Sequence, residues 1–97
     1  MKYYSTNKKA PLATLAEAVV NGLAPDKGLY MPERIKRLPN SFYKEIDKLC
    51  FTDIAYSVAD AFFGEDIDKE ELEYIVRDTL SFDCPVVKVS DRIYSLE

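Results

Sequence analysis

The chain has 97 residues, of which 47% are hydrophobic and 31% charged, with a formal net charge of −4, so it suits one domain with a single core. No basic run is longer than the pair Lys8–Lys9, so the chain lacks the clustered cations that nucleic-acid binding requires. No apolar run approaches the ~20 residues that span a bilayer and no apolar signal segment opens the chain, so we predict a cytoplasmic protein without a membrane partner.

The first part of the chain predicts a strand followed by a short capped helix. Residues Lys2–Thr6 are aromatic or carry hydroxyl groups, which favours a strand. Thr14 and Glu17 have the spacing of a capping box, so a helix is expected to begin there and to end before Gly22, a left-handed stop. A helix of two turns is unstable alone in water, so it is expected to pack through its apolar side chains. These are Leu15, Ala18, Val19 and Leu23.

The stretch from Leu23 to Pro32 predicts a reverse turn and an edge strand. Pro25 suits the first corner of the turn, and Asp26 can bond its own backbone. Gly28 is expected to take the left-handed conformation that closes the turn. Leu29–Met31 then predicts a brief strand at an edge, because Pro32 cannot lie deep inside a sheet.

Three further helices are predicted in the middle of the chain. Pro39–Ser41 offers a start for a short one, and Thr52 is expected to cap a longer one that ends at Gly64. Asp68 and Glu71 predict a second capping box. Apolar residues repeat at helical spacing in each segment. They are Phe42, Ile46 and Leu49 in the first, Ile54, Ala55, Val58, Ala59, Phe62 and Phe63 in the second, and Leu72, Ile75 and Val76 in the third.

Two strands are predicted at the end of the chain, Val86–Val89 and Ile93–Leu96, around a turn at Ser90–Arg92. Together with the two earlier strands they predict an α+β fold. In it, a small, mostly antiparallel sheet of about three or four short strands packs against four short helices. No turn or cap follows the last strand, so we expect the natural chain to continue beyond Glu97.

The chain lacks most of the residues that carry chemistry. It has no histidine, which removes the Ser-His and Cys-His nucleophile pairs. Asp66, Asp68 and Glu70 alternate like calcium ligands, but Glu71 stands where the loop needs glycine, and a capped helix start explains them better. The glycines are isolated, and no lysine lies in the apolar setting of a Schiff-base lysine. We predict no catalytic, cofactor-binding or metal-binding residue in this chain.

The two cysteines lack metal or redox spacing. Cys50 and Cys84 are most simply free, small core residues in a reducing compartment. A disulfide between them stays open as an alternative, because spacing cannot decide pairing.

Several segments of the chain together match a family pattern. They are Met1–Thr6, Ala10–Pro11, Glu17–Glu33, Phe62–Ile67, Glu70–Leu72 and Ile93–Glu97. The chain resembles the N-terminal domain of threonine synthase over essentially its whole length, and most specifically over residues 1–33. Lys27 stands where that family usually has the first of two glycines, so Lys27 is expected to keep a negative φ. Asp68 stands where the family often has proline at a helix start, and it can cap instead.

The resemblance implies that residues 1–97 form the N-terminal domain of a pyridoxal-phosphate enzyme. That enzyme converts O-phospho-L-homoserine and water into L-threonine and phosphate. In the family, the cofactor lysine lies in a segment that follows the Leu-Glu pair, here Leu96–Glu97. The lysine, the glycine-rich phosphate cup and the substrate-binding residues would then belong to a catalytic domain, which is the implied partner, and the 97 residues alone would be inactive.

One loop is predicted to face the substrate cleft of such an enzyme, because turns held by rigid elements often carry binding residues. It consists of Asp26, Lys27, Gly28, Leu29 and Tyr30. A docking surface should also expose apolar area, so Tyr30, Met31 or Ile93–Leu96 is expected to be unusually exposed. Two alternatives stay open: a free-standing interaction module, and the same domain in a related phospho-amino-acid lyase. The fold alone does not separate them.

Overall fold

The computed structural model describes all 97 residues as four α-helices, a 3-10 turn and four short strands. In chain order these are β1 Tyr3–Ser5, α1 Leu15–Asn21, β2 Tyr30–Pro32, α2 Asn40–Glu45, the 3-10 turn Ile46–Lys48, α3 Phe51–Phe63, α4 Lys69–Thr79, β3 Val86–Ser90 and β4 Ile93–Leu96. The α+β class and the four predicted helices are confirmed. None of these helices is both long enough and apolar enough to cross a membrane.

The four strands form two separate antiparallel pairs, which differs from the single sheet expected from the sequence. β1 pairs with β2, with Tyr3 opposite Pro32 and Ser5 opposite Tyr30. β3 pairs with β4 as a hairpin whose register shifts between Lys88 and Ser90. The helices α2, α3 and α4 lie between β2 and β3 in the chain. Each sheet consists of two strands and contains no third strand.

The start of α1 follows the sequence prediction in detail. The Thr14 hydroxyl accepts from the Glu17 amide at 3.2 Å, and the Glu17 carboxylate accepts from the Thr14 amide at 2.8 Å. These bonds from Thr14 lower the pKa of Glu17. The helix ends at Gly22, whose φ of 71° and ψ of −56° place it in a γ-turn, with the Leu23 amide donating to the Asn21 carbonyl at 2.8 Å. The positive φ is therefore confirmed, although ψ differs from the left-handed helical value.

The other two predicted caps are only partly correct. α3 begins after Cys50 and not after Thr52, and no side chain caps it. The Thr52 hydroxyl instead lies 3.3 Å from the Cys50 sulfur, so its oxygen is not available at the helix start. Asp68 does cap α4, accepting from the Glu70 amide at 3.2 Å. The reciprocal bond from Glu71 is absent, so this cap is not a capping box.

The buried residues are few and lie on β1, α1, α3 and α4 and in the loops that flank α1, with α3 packed on α4. The apolar residues among them, which form the core, are Tyr3, Ala13, Leu15, Ala24, Ala61, Leu72 and Val76. Two residues expected to pack α1 are not buried: Val19 is 72% exposed and Leu23 is 53% exposed. Only the first turn of α1 reaches the core. Its later residues line an open groove of about 370 Å³ beside Ile67, so no opposing side chain covers Val19.

A charge cluster fastens the beginning of β1 to the connection between α3 and α4. The Met1 ammonium donates to Glu65 at 2.8 Å and to Asp66 at 3.4 Å, and Glu65 also accepts from Arg34 at 3.2 Å. The hydrogen bond to Glu65 raises the pKa of the Met1 amine, and the same bond lowers the pKa of Glu65. Asp66 and Asp68, considered above as calcium ligands, are thus occupied by an ammonium and a helix cap.

Leu72 provides a test of this core, because its side chain is 2% exposed on the inner face of α4. We expect Leu72→Ala to lower the free energy of unfolding by about 2–4 kcal/mol, through lost apolar burial and the cavity left behind. Urea unfolding followed by circular dichroism measures the change. Ile75→Ala, on the same helix but 47% exposed, is the matched control and should cost under about 1 kcal/mol. Equal losses for the two variants would contradict the assignment of the core.

Candidate functional site

The loop predicted to face a cleft is organised by the Asp26 carboxylate. One carboxylate oxygen, Oδ1, accepts from the Ser5 hydroxyl at 2.5 Å and from the Gly28 amide at 3.0 Å. The other, Oδ2, accepts from the Lys9 amide at 2.9 Å. The Asp26 carbonyl accepts from the Asn7 side-chain amide, also at 2.9 Å. Asp26 therefore joins residues 5–9 to its own turn, residues 24–29, which we call the Asp26 loop.

The Asp26 loop is also joined to the end of β1 by a pair of bonds beyond the sheet. The Thr6 amide donates to the Leu29 carbonyl, and the Leu29 amide donates to the Thr6 hydroxyl, both at 2.9 Å. Ser5 is completely buried, and its hydroxyl accepts from the Asn7 amide while donating to Asp26. The loop is thus hydrogen-bonded to the rest of the fold on both of its sides.

Hydrogen bonding favours the ionised form of Asp26. The Ser5 hydroxyl makes the largest contribution that lowers the pKa of Asp26, and the Gly28 and Lys9 amides lower it further against partial desolvation. A carboxylate whose two oxygens already accept from buried and backbone donors is poorly placed to exchange protons with a substrate. We assign Asp26 a structural role.

The conformations of Lys27 and Gly28 are the reverse of those expected from the sequence. Lys27 has a φ of 66°, and Gly22 is the one glycine with a positive φ. Gly28 is needed for close approach: a Cβ atom there would lie 2.0 Å from the Ser5 hydroxyl oxygen and 2.9 Å from the Asn7 nitrogen. The Ser5 hydroxyl and the Gly28 amide both donate to the Asp26 carboxylate, which accounts for their close approach, and the positive φ of this turn lies at Lys27.

The five residues predicted to face a cleft do come together, but they point in two directions. Asp26 and Gly28 lie against Ser5, inside the fold. Lys27 and Leu29 are exposed, with Leu29 at 59%, and Tyr30 is half-buried. Gly28 is buried, Asp26 and Tyr30 are partly exposed, and Lys27 and Leu29 are the most accessible of the five.

A second surface is the hairpin formed by β3 and β4, which we call the ribbon, Val86–Leu96. Its large apolar side chains are exposed on both faces: Val86, Val87, Val89, Ile93, Tyr94 and Leu96. Val86 stands opposite Leu96 on one face, and Val87 stands opposite Ser95 on the other. The expectation of an exposed apolar edge at Ile93–Leu96 is confirmed, and Met31 is 42% exposed as well.

The cysteines are free, as predicted, but they are not core residues. Cys50 is exposed and Cys84 is partly exposed. Both line one cleft of about 430 Å³ between the start of α3 and the base of the ribbon. Cys50 immediately precedes α3, and Cys84 lies in the segment without regular structure that follows α4.

The remaining candidate groups are dispersed over the surface. All nine lysines are exposed, and no three His, Cys, Asp or Glu side chains are grouped as metal ligands would be. The bond between Ser5 and Asp26 is not predicted from the sequence. A signal was present: Ser5 is a small polar residue in an aromatic strand, two positions from Tyr3, and therefore faces the same buried side.

Comparison with known proteins gives one consistent result. A family model described as the N terminus of threonine synthase matches residues 2–80. Threonine synthase of Escherichia coli K12 is 31% identical over 97 residues, covering 100% of this chain and 23% of that protein. The mouse protein named threonine synthase-like 2 is 32% identical over 77 residues, covering 78% of this chain and 16% of that protein.

Solved structures agree with the sequence matches. The crystal structure of Escherichia coli threonine synthase superposes with a TM-score of 0.87 and 31% identity, covering 100% of this chain and 23% of that one. The pyridoxal-phosphate-bound threonine synthase from Brucella melitensis has a TM-score of 0.88 and 29% identity, with 100% and 22% coverage. The chain thus spans less than a quarter of the proteins that it matches.

The reversed roles of Lys27 and Gly28 can be tested by substitution. Gly28→Ala should lower the free energy of unfolding by at least about 2 kcal/mol, because the new methyl group would displace the Ser5 hydroxyl. Lys27→Gly should raise it by roughly 0.5–1 kcal/mol, because glycine tolerates the positive φ. Lys27→Ala is the control that keeps the Cβ atom. Denaturant unfolding measures all three, and a tolerated alanine at Gly28 would contradict the close contact.

The lowered pKa of Asp26 predicts a specific loss of stability in acid. The unfolded chain takes up this proton near an ordinary aspartate pKa of about 3.9, and the folded chain takes it up only at lower pH. The contribution of the carboxylate is therefore complete above about pH 4 to 5 and is lost as the pH falls through the lowered folded pKa. The free energy of unfolding is measured between pH 7 and pH 2 for the unsubstituted chain and for the Asp26→Asn variant.

We expect the natural chain to be more stable than Asp26→Asn at pH 7, and the gap to narrow below about pH 4. Subtracting one curve of unfolding free energy against pH from the other cancels the contribution of the carboxylates that both chains contain. A gap that does not change with pH would mean that ionisation of Asp26 contributes nothing to folding.

Proposed function

The chain belongs to the threonine synthase N-terminal family, and from that premise we propose that it is the N-terminal domain of a threonine synthase. The observation that carries this proposal is the family match over residues 2–80, together with superposition of the whole chain on two solved threonine synthases. Residues 1–97 would form a structural domain. A catalytic region of the same polypeptide, in the cytoplasm, would carry out the reaction.

The reaction proposed for the complete enzyme is conversion of O-phospho-L-homoserine and water into L-threonine and phosphate, with pyridoxal phosphate as cofactor. The residues present here do not fit that cofactor. Its aldehyde needs a desolvated lysine, and all nine lysines are exposed. Its phosphate needs a glycine-rich loop, and the three glycines serve a γ-turn, a contact with Ser5 and the end of α3. We place the cofactor and the catalytic residues in the catalytic region.

The ribbon is the surface that we assign to contact with the catalytic region. A two-stranded hairpin is at best marginally stable alone in water, and this one exposes apolar side chains on both faces. A strand pair of this kind is stabilised when a larger body covers it. Charge supports the choice, because the ribbon carries only Lys88, Asp91 and Arg92 among its eleven positions.

The Asp26 loop is proposed to form part of the cleft wall. Its backbone is hydrogen-bonded to Ser5, Thr6, Asn7 and Lys9, so the Cα atoms from which the Lys27 and Leu29 side chains extend are held in place. Preorganised side chains bind at lower entropic cost than mobile ones. Lys27 would offer a positive charge to an anionic substrate, and Leu29 would exclude water.

A second candidate is the same domain in a related phospho-amino-acid lyase. The match to mouse threonine synthase-like 2 favours this candidate, because that protein carries the domain under a different name. Residues 1–97 would have the same structural role in either enzyme, and the substrate would be chosen elsewhere.

The assignment of the cofactor to the catalytic region can be tested on the 97-residue chain. Purified chain is mixed with pyridoxal phosphate, reduced with borohydride and mapped by mass spectrometry. We expect weak labelling spread over several lysines, because all nine are exposed and none lies in a desolvated pocket. A stoichiometric adduct at a single lysine would overturn the assignment of the cofactor to the catalytic region.

The enzyme assignment is tested by replacing the matching region of Escherichia coli threonine synthase with this chain. We expect the chimera to release phosphate from O-phospho-L-homoserine. Ile93→Asp in the ribbon should reduce that activity at least about tenfold, since a buried unpaired charge costs more than ~1.4 kcal/mol. Tyr74→Ala, at a 71% exposed position on α4, is the matched control. An inactive chimera that is folded would favour the interaction module or the related lyase.

A further inference from the structure

We propose that Cys50 and Cys84 form a dithiol site, at which a small-molecule disulfide produces an intramolecular disulfide that fastens the ribbon to α3. The inference rests on the shared cleft of the two thiols and does not depend on the proposed function. The two residues are the only cysteines of the chain, and both are free.

The two thiols lie on walls of the same cleft. One wall is the start of α3, with Cys50, Phe51 and Thr52, and another is the segment that leaves α4, with Phe82 and Cys84. The rings of Phe51 and Phe82 meet edge to face with centroids 6.3 Å apart. Phe51 is adjacent to Cys50 and Phe82 is two positions from Cys84, so this contact holds the cysteine-bearing segments together.

The segment that carries Cys84 has the freedom to complete the approach. Residues 81–84 belong to no helix or strand, and their backbone makes no backbone hydrogen bond. The only side-chain bond in this segment joins the Ser81 hydroxyl to the Asp78 carbonyl. A disulfide requires Cα atoms about 4.4–6.8 Å apart, and we assign the approach to that geometry to movement of this segment.

Cys50 is the residue that we assign to the first chemical step. It is exposed, its sulfur lies 3.3 Å from the Thr52 hydroxyl, and that hydroxyl accepts from the Arg77 guanidinium at 3.4 Å. The charged groups that face this corner are Arg77, Glu73 and Asp53. The exposure of Cys50 gives a small disulfide direct access to its sulfur, whose thiolate is the nucleophilic form.

The reaction is two successive thiol–disulfide exchanges. The Cys50 thiolate attacks one sulfur of the small disulfide, whose sulfur–sulfur bond breaks, and one small thiolate leaves. The Cys84 thiolate then attacks the Cys50 sulfur of the mixed disulfide and displaces the second small thiolate. The pair of cysteines loses two electrons to the reagent, and their two protons end on the two small thiols released.

The new bond would close a loop that contains all of α3 and α4. Closing a long loop removes conformations from the unfolded chain and so stabilises the fold. It would also tie the base of the ribbon to α3, which restricts the ribbon even where no other molecule covers it.

Oxidised glutathione is the test reagent, applied to the purified chain and followed by intact mass and by titration of free thiols. We expect both thiols to disappear, the mass to fall by two hydrogen atoms without a glutathione adduct, and the Tm to rise. A reductant should reverse all three changes. Peptide mapping should show the Cys50–Cys84 peptide.

Two single variants serve as matched controls. Cys84→Ser should stop at a glutathione adduct on Cys50, and Cys50→Ser should react more slowly at Cys84. The proposal is overturned if the natural chain keeps stable glutathione adducts, forms disulfide-linked dimers or does not react. None of these outcomes bears on activity of the chimera, so the two proposals fail independently.

Discussion

The bond between Ser5 and Asp26 is the interaction on which the N-terminal half of this fold depends. It joins residues that are 21 positions apart, and it buries a hydroxyl against a carboxylate that also accepts from Gly28 and Lys9. A buried polar group is tolerated only when its hydrogen bonds are made, and no buried side-chain nitrogen or oxygen atom is left without a partner here. The cluster therefore fixes the register of β1 on β2 and the shape of the loop together.

Features controlled by neighbouring residues could be predicted from the sequence. The Thr14–Glu17 capping box, the Asp68 cap and the ribbon around Asp91 each depend on a few consecutive residues. Because the residues that form each feature are neighbours in the sequence, the sequence alone is enough to predict it. The α+β class followed from them because helix and strand signals alternate along the chain.

Features controlled by distant residues could not be predicted. The positive φ of this loop lies at Lys27, and Gly28 is required instead for its contact with Ser5, which no local pattern reveals. The exposure of Val19 follows from where α1 meets the rest of the core. The cleft that brings Cys50 and Cys84 to one place depends on the packing of α3 on α4 and on the path of the chain after Leu80. In each instance, tertiary packing selects one of several conformations that the local sequence pattern allows equally well.

The irregular register of the ribbon has a consequence for behaviour in concentrated solution. A flat apolar hairpin presents open strand edges that invite pairing with other copies and growth of fibrils. The shift between Lys88 and Ser90 interrupts the regular ladder and increases the local twist, and Lys88 and Arg92 place positive charges beside that interruption. Self-association by edge pairing is thereby opposed in the one part of the molecule where the side chains would otherwise promote it.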